Sequence, residues 1–78
     1  MPSIQIDISA QITRSIAELA ERCTVANQER AGATTHGPLT AKTLLAMLAE
    51  DAALTITRPG SWEGSNMATA LESHGYRL

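Results

Sequence analysis

Phenylalanine is absent from this chain, and Trp62 and Tyr76 are its only aromatics. A large aromatic side chain buries about 150–250 Å², so any core must come mainly from Leu, Ile, Val, Met and Ala. Cysteine occurs once, as Cys23. That excludes an intramolecular disulfide and suits a reducing compartment, the cytoplasm. No apolar run approaches the roughly 20 residues that span a bilayer, so no membrane partner is expected. Met1-Pro2-Ser3-Ile4-Gln5 has neither a basic nor an apolar segment of the secretory kind. Basic residues are few: 6 Lys and Arg stand against 8 Asp and Glu, for a net charge of −2. Nonspecific binding to nucleic acid or to an acidic membrane needs concentrated positive charge, and this balance argues against both.

The length, 78 residues, fits a single domain, 1–78. So short a domain buries a smaller share of its surface than a long one, and its stability margin is narrow. Hydrophobic residues still make up 44% of the chain, enough to argue for a folded state.

Local patterning predicts five elements. Ser3-Ile4-Gln5-Ile6-Asp7-Ile8 alternates strictly and reads as a half-buried strand. Ser9 suits a helix N-cap. Behind it Ile12, Ile16, Leu19 and Cys23 recur at helical spacing. Glu18 and Arg22 fall off that stripe as an i,i+4 pair. The helix should fade between Asn27 and Gly32. Ala31–Gly37 is a small, polar loop, after which Pro38 or Thr40 can open a second helix. Leu44, Leu45, Met47, Leu48 and Ala52 give that helix a broad apolar face, with Glu50 and Asp51 near its expected C-terminal end.

Leu54-Thr55-Ile56-Thr57 alternates again and predicts a second strand. Arg58-Pro59-Gly60-Ser61 is a turn. Ser61 can cap a last helix, with Met67, Ala70, Leu71 and His74 facing inward. Gly75 is placed to end it in the left-handed conformation, with Tyr76 folding back. The expected fold is therefore α+β, a small single domain in the order β-α-α-β-α. Two short strands pack on three helices. An exposed Ile-rich edge needs cover, which favours a homodimer, with pairing inside the chain as the alternative.

No constellation for chemistry emerges. Cys23 could act with His36 or His74, but it lies on an apolar stripe, where free Cys behaves as a small hydrophobe. A structural zinc needs four ligands, and the spacings match no recognised site. Gly60–Ser65 looks briefly like a phosphate loop but lacks the Lys-Ser/Thr ending. No catalytic, cofactor-binding or metal-ligating residue is assigned, no cofactor is called for, and an enzyme is not expected.

Trp62 is the residue to single out, since Trp is enriched at binding hot spots. Arg58, Glu63 and Asn66 surround it in sequence, and Glu50, Asp51 and Glu72 add carboxylates for Arg and Lys on a partner. These seven are the candidate partner-binding residues. The expected function is a non-enzymatic protein-binding inhibitor or adaptor. Its partner would be another protein or a nucleoprotein complex, such as a nucleic-acid-handling host machine. Small, mildly acidic proteins with no chemistry are common among phage and plasmid products that disable such machines by steric block, anti-CRISPR proteins among them.

The N-terminal half also resembles ribbon-helix-helix DNA-binding domains. The strand Ser3–Ile8, a helix from about Ala10, and Gly37-Pro38-Leu39-Thr40 before a second helix carry the likeness. It implies a dimeric transcriptional regulator whose paired strands enter the major groove, with Ser3, Gln5 and Asp7 facing the bases. This is the alternative to the protein-binding reading, and the only one that makes DNA a partner.

Overall fold

The computed structural model describes residues 2–78; Met1 lies outside them. Three helices make up the regular structure of the described residues: α1 (Ala10–Glu29), α2 (Ala41–Thr57) and α3 (Trp62–Ser73). No described residue lies in a strand, so the fold is all-α, and the expected β-α-α-β-α order is overturned. The chain divides into two compact units, Met1–Leu44 and Leu45–Leu78.

Both expected strands fail for physical reasons. In α2, Leu44, Met47, Leu48, Asp51, Leu54 and Thr55 are buried or half-buried, a helical period that runs straight through Leu54–Thr57. Once a helix is nucleated, each further residue adds a hydrogen bond at low cost. The β-branched threonines are accommodated because their hydroxyls bond back to the preceding turn. Thr55 Oγ1 donates to the Ala52 carbonyl at 2.9 Å and Thr57 Oγ1 to that of Ala53 at 3.3 Å. Pro59 sets the stop, because the residue before a proline is pushed out of the α region. With Leu54–Thr57 helical, Ser3–Ile8 has no strand to pair with, and Ile4 is 91% and Ile6 62% exposed. The ribbon-helix-helix likeness falls with it. That fold needs the strand for its dimer, so the resemblance no longer gives a ground for reading Ser3, Gln5 and Asp7 as a DNA-facing row.

In the first unit, Ser9 caps α1. Its Oγ accepts from the Ile12 N–H at 3.1 Å. The inward residues are Ile16, Ala20, Cys23, Thr24 and Asn27. Ile12 and Leu19, expected on the buried stripe, are exposed. The face is rotated because its C-terminal half is drawn in by polar partners in the following loop. Asn27, 8% exposed, accepts at Oδ1 from Thr34 Oγ1, and Thr34 Oγ1 accepts from the Gly37 N–H at 3.1 Å. Thr24 Oγ1 accepts from the Leu39 N–H at 2.9 Å, and it lies 3.0 Å from the carbonyl oxygens of both Ala20 and Leu39, to either of which its hydroxyl can donate. The loop is thus held to the helix by short polar side chains.

Threonine also opens α2. The Thr40 N–H donates to Thr43 Oγ1 at 2.8 Å, and the Thr43 N–H donates to Thr40 Oγ1 at 3.2 Å. This is a reciprocal capping box with Thr in place of the usual Glu.

α1 ends in a Schellman motif: the Ala31 N–H bonds the Gln28 carbonyl and the Gly32 N–H that of Asn27. The position that usually holds glycine is Ala31, at φ 52°, where a Cβ costs about 1–2 kcal/mol. Ala31→Gly should therefore raise stability by about 0.5–1 kcal/mol, the relief being partly offset by the freer unfolded chain. Thermal melting checks the sign.

Thr24→Val keeps the shape but strips the partner from the Leu39 N–H. It should cost about 1–2 kcal/mol, and Thr24→Ser should recover most of that in urea unfolding.

Candidate functional site

All seven expected partner-binding residues fall in the second unit, which pairs Leu45–Thr57 of α2 with α3. Its organising feature is the corner between the helices. The Ser61 N–H donates to the Arg58 carbonyl at 3.0 Å, and Ser61 Oγ donates to the same carbonyl at 2.8 Å. That hydroxyl also accepts from the Gly64 N–H at 3.0 Å, as the N-cap of α3. One hydroxyl therefore ties a carbonyl past the end of α2 to the first turn of α3. The unpaired groups at two helix ends are satisfied together.

Gly64 makes this possible. It is buried, and a Cβ built on it would lie 2.7 Å from the Leu54 carbonyl oxygen and 2.8 Å from that of Arg58. Only a residue without a side chain allows α3 so close to the backbone of α2. Sequence reading assigns Gly64 no role of its own; the signal is its place three residues after a capping serine.

The corner fixes Trp62 as the first residue of α3, 83% exposed. Gly60, Ser61, Trp62 and Ser65 line a shallow depression of about 240 Å³. Ser65, Asn66 and Thr69 follow Trp62 on its helix face at i+3, i+4 and i+7, all exposed. The indole is open to solvent and anchors no core. Glu63 is exposed in the first turn, where the helix dipole favours a carboxylate. Arg58 is exposed at the turn.

The remaining acids are dispersed. Glu50 is exposed while Asp51 is half-buried on the packed side of α2, since adjacent helical residues do not face the same way. Neither is at the C-terminal end, because α2 continues to Thr57. Glu72 is exposed at the far end of α3. There the His74–Tyr76 turn closes the helix: the Gly75 N–H bonds the Glu72 carbonyl and the Tyr76 N–H that of Leu71. Gly75, at φ 95°, ends α3 as its sequence position indicates. The inner side of α3 is Gly64, Met67 and Ala68; Ala70, Leu71 and His74, expected there, are exposed.

Two exposed features lay outside the sequence reading. Ile56, assigned to a strand, is 83% exposed on α2. In the first unit, Glu18, Glu21, Arg22, Val25, Ala26 and Glu29 flank an open hollow along α1 of about 400 Å³, with the expected Glu18–Arg22 ion pair formed at 3.3 Å. Cys23 is half-buried. Among the described residues no group of three or more His, Cys, Asp or Glu could hold a metal, and no helix is long and apolar enough to cross a membrane.

No protein-family model matches this sequence, and neither a curated protein nor a solved structure matches it significantly.

The close approach at Gly64 has a measurable cost. On an open helix Gly→Ala gains up to about 1 kcal/mol in propensity. Here Gly64→Ala should instead destabilise, because overpacking against fixed backbone costs about 1–3 kcal/mol. A lowered denaturation midpoint with an unchanged m-value is the expected result.

Proposed function

We propose that this chain is a non-enzymatic protein-binding module, an inhibitor or adaptor that works by occupying a partner's surface. The observation that carries the reading is Trp62, held at a rigid helix corner yet 83% exposed. An indole in water forgoes a large hydrophobic gain, and rigid exposed aromatics are what hot spots are made of. Ile56 adds a second apolar side chain in the same unit. Arg58, Glu63 and Asn66 supply polar groups in the sequence around the indole, as an interface rim requires.

The excess of acids favours a partner surface rich in Arg and Lys, of the kind that handles nucleic acid. Steric block of such a surface, in the manner of anti-CRISPR proteins, is the form of inhibition that fits a chain of this size and charge. The lone Cys23 suits action in the reducing cytoplasm.

The test is capture on the tagged chain from lysate of its native cells, after nuclease treatment. A stoichiometric protein complex is expected. Trp62→Ala with Glu63→Ala should weaken it at least about 30-fold, the scale of a hot-spot loss, with helical circular dichroism unchanged. Affinity indifferent to both substitutions removes this surface from the reading.

A further inference from the structure

The segment before α1 has the pattern of a strand without a strand's neighbour. Ile4, Ile6 and Ile8 alternate with Ser3, Gln5 and Asp7, the two-residue period of a strand with one apolar face. Ile4 is 91% and Ile6 62% exposed. Within Ser3–Ile8 no backbone N–H or C=O hydrogen-bonds to another described residue. Ser9 then fixes the chain where it enters α1, with φ −61° and ψ 156°, already extended. A row of backbone groups open to pairing stands beside two exposed isoleucines, with Ile8 half-buried, and pairing with another strand would engage the first and cover the second.

We propose that Ser3–Ile8 docks as an added strand on the open sheet edge of a partner protein, with Ile4, Ile6 and Ile8 seated against that sheet's apolar side. The ladder would supply affinity and the alternate side chains specificity. The acceptor lies outside this chain, because no described residue of it is in a strand. A second copy of the segment is the weaker partner, since two strands alone make at best a marginal sheet. An existing sheet edge already has its neighbours in place. The proposal rests on the reading that the chain binds another protein, but not on the Trp62 corner.

The experiment uses the full tagged chain, its Ile4→Asp/Ile6→Asp variant and its Trp62→Ala variant, each exposed to the same native lysate. The protein retained by the unsubstituted chain is then purified, and amide exchange is followed residue by residue in the complex. The expected result has two parts. Ile4→Asp/Ile6→Asp lowers retention at least about tenfold while leaving the helical signal intact, and exchange slows at alternate amides across Ser3–Ile8, because one parity of N–H groups points into the ladder.

Retention independent of Ile4 and Ile6, or protection absent from the segment, overturns the proposal even if Trp62→Ala weakens binding. A dimer in sedimentation that Ile4→Asp/Ile6→Asp dissociates also overturns it, by showing the second copy as occupant. No retained protein at all overturns this proposal and the Trp62 reading together.

Discussion

The hydroxyl group does in this protein what large apolar side chains do in most small domains. Ala20 and Leu44 are the only buried hydrophobic residues among those described, and neither is an aromatic. The long-range ties are instead made by Thr24, which holds the Leu39 backbone to α1, and by Thr34, which links Asn27 to Gly37. Thr40, Thr43 and Ser61 set helix starts in the same way. Such bonds are directional and net only about 1 kcal/mol each, so they position segments more than they stabilise them. The architecture inherits that character, with well-defined corners and loops and much apolar surface left uncovered.

Uncovered surface explains why the candidate interfaces are simple to locate. Trp62 is the first residue of α3 and lies exposed beside a corner in which the Arg58 carbonyl, the Ser61 hydroxyl and the Gly64 N–H are bonded to one another. Its backbone position is set by the helix corner, so docking would have only the side chain left to order. The Ser3–Ile8 segment is the opposite case: it has composition and alternation but no fixed partner, and would pay its ordering cost on binding. A rigid anchor and an adaptable strand are complementary ways to hold another protein.

Sequence captured the parts of this structure that depend on local chemistry. Ser9, Ser61 and Gly75 were legible as helix ends because capping is decided within four residues. The Glu18–Arg22 pair was legible for the same reason. Errors arose where a short pattern had two meanings. Leu54–Thr57 alternates like a strand, yet the same residues continue the period of Leu44, Met47, Leu48 and Asp51, and the longer pattern won. Ser3–Ile8 has the right alternation for a strand, but a strand exists only with a neighbour, which no local rule supplies. In the candidate site, residue type and turn context single out Trp62, Glu63, Asn66 and Arg58, and all four are exposed at or after the helix corner. Glu50 and Asp51 are both candidates by residue type, yet one helical step turns them to different sides, one exposed and one half-buried. Gly64 was missed because its role depends on a carbonyl ten residues earlier.

The stretch from Arg58 to Gly64 also has an evolutionary consequence. Pro59 must stop one helix, Ser61 must start the next, and Gly64 must admit a neighbouring backbone. Each of these positions tolerates very few residue types. Trp62 and Glu63, lying between them, contribute nothing to the corner's own bonds and are free to drift. Replacing these two adjacent residues can thus change the surface the corner displays while the frame around them stays intact.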